Sequence, residues 1–295
     1  MRIYESMPAD PMTAPASSKP RPPIFRALGA AEPPREVTVG GQTYTLHELM
    51  KHDSWAATGI YAGPAGKITC KFNRKQPLFG ISMLWLGRLL ADNERMTLER
   101  LDDVTQIPKS MGDVFVNGQH WPNAIARIFI EGHPLGRNEQ VSPQFFPELK
   151  AILETMHARK IAYVDLHKRE NIIVGSDGKP YLIDFQIGID AARTRVAWIP
   201  GMSYLFEILS GSDFYHLAKH MVKHEPERKD DPAYNIDKLR PWWIKLHRKF
   251  AVPFRELRRR LLVVAKVRTG KGEAETEVFA EDAIRNDAKQ TKKAA

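Results

Sequence analysis

The sequence predicts an α+β chain in which a small antiparallel sheet carrying one helix is followed by a mainly helical half. Three observations predict it. Short β-branched runs joined by glycine turns crowd the stretch before residue 75. Residues 83–104 carry apolar side chains at helical spacing, and helices dominate after residue 200.

Taken in order, the first 35 residues hold prolines at 8, 11, 15, 20, 22, 23, 33 and 34. Such a stretch is expected to be disordered, with Ile24 and Phe25 docking on the body. The fold begins at "REVTVGGQTYTL", where Val37–Val39, a Gly-Gly turn and Thr43–Thr45 predict a hairpin, and "TGIYAGPAGKITCKF" predicts another. In "MLWLGRLLADNERMTLERLDDV", Leu90, Glu94, Leu98 and Leu101 fall on neighbouring helical turns. Residues 125–130 return to strand character. "SPQFFPELKAILETMHARK" predicts a helix capped by Ser142 with Pro143 at its first position. The units so defined are a leading segment 1–35, a sheet-bearing lobe 36–131, a helical lobe 132–268 with a basic final helix, and a charged tail 269–295.

With 295 residues, 43% hydrophobic and 27% charged, the chain can bury a substantial core. No apolar run approaches the ~18 residues of a membrane span, and the leading segment lacks the apolar core of a signal peptide. A cytoplasmic location is therefore expected. Cys70 is the one cysteine, so no internal disulfide can form. The formal net charge of +9 points to an anionic partner. Nucleic acid is not favoured, because the basic residues gather at one end with few interleaved aromatics and no nucleic-acid motif is present.

The chemistry concentrates in "YVDLHKRENIIVGSDGKPYLIDFQIG", Tyr163 to Gly188. Ile172–Val174 and Tyr181–Ile183 predict two short buried strands joined by the turn formers between them. A hairpin brings the entrance of its first strand beside the exit of its second, so Asn171 and Asp184 should lie close together. Two such oxygen-bearing groups suit a hard divalent cation whose shell is completed by phosphate and water.

These residues resemble the protein-kinase-like phosphotransferases over about residues 50–215. "YVDLHKRENIIV" is similar to the catalytic loop H-R-D-L-x-x-x-N, and "LIDFQIG" to the segment built around D-F-G. "ITCK" resembles the V-A-I-K strand, "NERMTLERL" the helix whose glutamate pairs with that lysine, and "FIEGHPL" the hinge between lobes. The resemblance implies a bilobal protein-kinase-like fold. It also implies an enzyme that uses ATP and Mg2+ to phosphorylate an alcohol group. Lys71, held by Glu94, would meet the α- and β-phosphates, Asp165 would take or orient the proton of the attacking hydroxyl, and Asn171 and Asp184 would hold the metal. Phe129 and Glu131 of the hinge and Thr69 would line the nucleotide pocket. Strand alternation puts Thr69 on the face of Lys71 and Cys70 on the other.

Glu99 competes with Glu94 for Lys71. The +4 and +7 leucines after Glu94 favour Glu94 as the inward residue. Four departures from the family pattern stand out. Tyr163 replaces the initial His, Gln186 replaces the Gly of D-F-G, and no glycine-rich phosphate loop precedes Lys71. The gap from Asp165 to Asn171 is also one residue too long, which calls for a bulge within His167–Glu170 unless Glu170 takes the metal role in place of Asn171. Asp165-Leu166-His167 is similar to the D-L-H of antibiotic and sugar kinases, and no peptide-binding anchor follows Asp184. A sugar, glycolipid or other small-molecule hydroxyl is therefore favoured over protein, with a further likeness to bacterial lipopolysaccharide-core kinases acting on heptose or Kdo. A Ser/Thr protein kinase and a pseudokinase scaffold stay open as alternatives. Residues 240–268 contain ten Lys/Arg against Glu256 alone. Pro253 opens a basic amphipathic helix there, read either as a last helix of the second lobe packed by its leucines with a solvated arginine face or as one holding the protein against an anionic membrane surface, which would make it peripheral on the inner face of the cytoplasmic membrane.

Overall fold

Gly40 and Gly41, with φ of 55° and 76°, close the first hairpin in a conformation that other residues enter only with strain. They join β1 (Glu36–Val39) to β2 (Gln42–His52), in register from Val39↔Gln42 to Glu36↔Thr45. The computed structural model describes residues 22–137, 139–193, 197–225, 227, 231–232 and 235–239. The leading residues 1–21, the expected basic helix 240–268 and the tail 269–295 lie outside them.

A second hairpin, β3 (Ala56–Gly63) and β4 (Gly66–Asn73), turns through Pro64 and Ala65 and pairs Thr58 with Lys71 and Ile60 with Thr69. After it comes α1 (Leu84–Arg100), then β5 (Ser110–Gly112), β6 (Val114–Val116), β7 (Gln119–His120) and β8 (Ala124–Ile128). The eight strands run β5-β8-β4-β3-β2-β1-β6-β7. β5, β6 and β7 were not legible in the sequence, since strands of two or three residues leave no period-two pattern to read. Along β4, Cys70 and Phe72 enter the core of this lobe with Val37, Tyr44, Tyr61 and Ala126, while Thr69 and Lys71 take the other face.

The leading segment meets this sheet differently from expectation. Residues 22–35 are packed: Ala27 and Leu28 are buried, the Ala27 carbonyl accepts from Lys75 N and Gln76 N, and Arg74 donates to the Ile24 carbonyl. A buried guanidinium that finds carbonyl acceptors offsets the backbone order it imposes.

The second lobe contains β9 (Gly132–Pro134), α2 (Phe145–Ala158), β10 (Ile161–Ala162), β11 (Ile172–Gly175), β12 (Pro180–Leu182), β13 (Ile189–Asp190), α3 (Met202–His224) and α4 (Ile236–Leu239). Ser142 does not cap α2. Its carbonyl accepts from Phe145 N, so Pro143 sets a turn and the helix begins after Gln144. Phe145, Phe146, Leu149, Leu153 and Met156 of α2 pack with Leu217 and Met221 of α3, joined by Leu98, Leu101 and Ile125 from the first lobe. Each fully buried Phe or Leu contributes ~1.5–3 kcal/mol. The end of α1 is thus part of the core of the second lobe, which fixes the helix carrying Glu94 against the loops below it. Among the described residues, no helix is long and apolar enough to cross a membrane.

Candidate active site

β4, α1 and the loop that follows β12 converge on the Lys71 side chain. Its Nζ lies 3.1 Å from Glu94 Oε2 and 2.6 Å from Asp184 Oδ1. Glu94 is fully buried whereas Glu99 is exposed, so the competition between them resolves through burial. Burial works against the Lys71 charge, yet Asp184 and then Glu94 raise its pKa above the ordinary lysine value. Burial also pushes the Asp184 carboxyl up, but Lys71, with Lys168 and Lys51 farther off, brings it down to about 2.

The loop 163–171 holds the second half of the site. Asp165 is 1% exposed, and its Oδ2 accepts from Lys168 Nζ at 2.7 Å and Asn171 Nδ2 at 3.0 Å. Its Oδ1 is buried without a hydrogen bond, and His167 Nδ1 stands 3.3 Å away. The extra residue of the loop is absorbed by tightening. Lys168 N donates to the Asp165 carbonyl, Asn171 N to the Lys168 carbonyl, and Arg169–Asn171 form a 3₁₀ turn. The result puts Lys168 on the Asp165 carboxylate and leaves Glu170 about half exposed beside Arg169. Lys168 was not singled out from the sequence, because its contact depends on this turn. Ile183 N donates to the Asn171 carbonyl, so Asn171 and Asp184 are brought together across the hairpin.

The departures Tyr163 and Gln186 have structural consequences. The Tyr163 hydroxyl donates to the Ile183 carbonyl, and its ring meets Phe185 edge-on at 5.2 Å. One phenol thereby ties the Asp165 loop to the Asp184 loop. The left-handed backbone falls at Asp184 (φ 66°) and not at Gln186, so position 186 does not require glycine. The carbonyls of Gln186 and Gly188 accept from Asn93 Nδ2 at 3.0 and 2.8 Å, which clamps α1 to this segment next to Glu94.

Asp213 of α3 is a functional group that sequence reasoning missed. Fully buried, it accepts Tyr163 N and Val164 N, each at 2.8 Å, and lies 3.0 Å from His157 Nε2. Val164 is left-handed (φ 72°), a costly state for a β-branched residue that this carboxylate holds in place. The hinge residues are arranged less directly. Thr69 is buried on the Lys71 face. Phe129 lies under Lys67 Nζ, and the Glu131 carboxylate is 62% exposed beside the same lysine, with its carbonyl taken by Ser176 N.

His216, His220 and His224 form one stripe on α3. His220 Nε2 donates to the Leu166 carbonyl at 2.7 Å, His224 Nε2 to the Gly136 carbonyl at 2.8 Å, and the His216 ring meets that of His167 at a tilt, 5.8 Å between centroids. Burial, aided by His167 and Lys219, lowers His216 to about 3, and burial lowers His220 to about 4. Both are neutral in the folded protein where the unfolded chain would protonate them. Stability is therefore full above the ordinary histidine pKa of about 6.5 and is lost as pH falls from there toward 4, by up to ~1.4 kcal/mol per pH unit for each histidine. Urea unfolding at pH 7, 6 and 5 is expected to show this slope, and His216→Phe to reduce it. A flat profile would show that these rings are paid no such penalty.

A curled antiparallel sheet with one helix, a hinge strand and a helical lobe, with Lys71, Glu94 and Asp184 joined between them, constitutes a bilobal protein-kinase-like fold. No protein-family model and no curated protein matches the chain. Among solved structures it is similar to the Rio2 kinase–ADP/Mg2+–phosphoaspartate complex from Chaetomium thermophilum, at a TM-score of 0.45 and 13% identity, over 83% of this chain and 72% of that one.

Proposed function

We propose that the protein is an ATP- and Mg2+-dependent phosphotransferase that moves the γ-phosphate to a hydroxyl of a sugar, glycolipid or other small molecule. The observation that carries this reading is the buried Asp165 carboxylate, with one oxygen fixed by Lys168 and Asn171 and the other, Oδ1, buried and without a hydrogen bond. An acceptor oxygen that makes no hydrogen bond, with His167 Nδ1 3.3 Å away, suits the proton of an incoming hydroxyl. Lys71 supplies a fixed positive charge for phosphate oxygens, and Glu94 keeps its ammonium in place.

The Asn171 amide oxygen and the Asp184 carboxylate are hard donors that fit magnesium. Among the described residues no group of three or more His, Cys, Asp or Glu side chains could hold a metal, so phosphate and water oxygens must complete the shell. Bound there, magnesium would neutralise charge on the phosphate oxygens. No peptide-binding anchor follows Asp184 in the sequence, which supports a small acceptor. The net +9 of residues 240–268 supports a membrane-borne glycolipid among such acceptors.

Calorimetric titration with ATP, with and without magnesium, tests the first half of the proposal. Transfer of labelled phosphate into the lipid, sugar and protein fractions of a cell extract tests the second. Binding without transfer would make the protein a nucleotide-binding scaffold, and label entering protein would reassign the acceptor. Asn171→Ala is expected to lower transfer at least ~10²-fold, since it removes a proposed metal ligand and a hydrogen bond to Asp165, whereas Glu170→Ala should stay within about twofold. The reverse ranking in the same assay would show that Glu170 is the ligand.

A further inference from the structure

The connection that a nucleotide's phosphates would meet at the Lys71 end of the sheet is poorly suited to hold them. Ala56 pairs with Asn73 and Thr58 with Lys71, and Arg74 N donates to the Trp55 carbonyl, so residues 53–55 close the cleft edge of the sheet just beyond Asn73, past Lys71. No glycine occurs from Met50 to Thr58. The backbone N–H groups of Trp55 and Ala56 are both taken by Asp53 Oδ1, at 2.7 and 2.9 Å, so an approaching anion finds a carboxylate where free donors would cradle it.

Arg127 supplies what this connection lacks. It faces Thr69 across the β4–β8 pair and therefore shares the cleft face with Thr69 and Lys71. It is 8% exposed, and among the described residues its guanidinium makes no hydrogen bond or ion pair. Burial lowers its pKa below the ordinary arginine value, and Glu94 and Asp184, close enough to oppose that shift, place it in the same cluster as Lys71. A buried cation with unused donors is costly, and a planar fork of donors matches phosphate oxygens in a bidentate manner. Together with Lys71 it balances Glu94 and Asp184 and leaves its donors for a ligand.

We infer that Arg127 is a phosphate-binding residue whose guanidinium takes oxygens of a polyphosphate chain beside Lys71, in place of a backbone cradle. The inference rests on the phosphotransferase reading for the identity of the ligand, not for the presence of an anion. Glu94 Oε1, buried and without a hydrogen bond, is the rival acceptor.

The test is calorimetric binding of ADP, adenosine and inorganic tripolyphosphate to the full chain and to Arg127→Met and Arg127→Lys. Arg127→Met is expected to weaken ADP and tripolyphosphate at least tenfold and adenosine less than twofold, with most of the loss recovered in Arg127→Lys. Equal weakening of ADP and adenosine would overturn the inference and assign Arg127 to Glu94 as a structural partner. Unchanged ADP binding, or no tripolyphosphate binding by the unaltered protein, would also overturn it. If the unaltered protein binds tripolyphosphate but no adenine nucleotide, the ATP reading fails while Arg127 is still tested. Should Arg127→Met not fold, Arg127→Gln carries the same comparison beside Arg127→Lys.

Discussion

Asp165→Asn is expected to leave the fold and nucleotide binding within about threefold of the unaltered protein while lowering phosphate transfer by about 10²–10⁴-fold. The reason lies in the division of labour between its two oxygens. Oδ2 accepts from Lys168 and Asn171, and an asparagine oriented with its carbonyl in that position keeps both bonds. Its amide nitrogen then stands where Oδ1 stood, buried and without a hydrogen bond, and an acceptor has become a donor. A hydroxyl proton directed at that site has nowhere to go. Transfer rates matching the unaltered protein, measured alongside unchanged nucleotide affinity, would remove Asp165 from the chemistry.

Asp213→Ala is expected to destabilise the protein by roughly 3–5 kcal/mol and to abolish transfer, although residue 213 touches no proposed ligand. The substitution leaves the buried Tyr163 and Val164 N–H groups unpaired and takes away the neighbour of His157. It also releases Val164 from its left-handed backbone, and Asp165 is the next residue. Asp213→Asn, which keeps one acceptor oxygen, should cost less in stability and still impair transfer, because both loop N–H groups can no longer be met at their present positions. Chemical denaturation together with nucleotide titration separates the two effects. An Asp213→Ala protein within about 1 kcal/mol of the parent in stability would mean that the loop holds its shape without the carboxylate.

Interlobe geometry is set by contacts of α1 that no local pattern announces. Asn93 is one residue from Glu94 and reads as an ordinary exposed helix polar residue, yet it binds two carbonyls near Asp184. Arg100 donates to Asp190 and to the Arg159 carbonyl. Arg159 in turn grips Asp103 at 2.6 and 2.7 Å. These bonds and the burial of Leu98 and Leu101 in the core of the second lobe hold the Lys71–Glu94 pair assembled in the structure described.

The sequence by itself determined the hairpins around Gly40-Gly41 and Pro64-Ala65, the helix carrying Glu94, and the order of Lys71, Glu94, Asp165, Asn171 and Asp184. Those features are local. Turn residues, strand alternation and helical spacing act between near neighbours, and a polar group placed at the end of a short apolar run is visible in one line of text. The tertiary structure alone decided how the long loop brings Lys168 to Asp165, that Tyr163 joins two loops, and that Asp213, Asn93 and Arg127 belong to the site at all. The first depends on a turn three residues long and the others on partners twenty or more residues away, and a buried carboxylate, amide or guanidinium looks like any other until the chain is folded around it. Burial turns an ordinary side chain into one that must find a partner, and only the three-dimensional arrangement shows which groups are buried and what faces them.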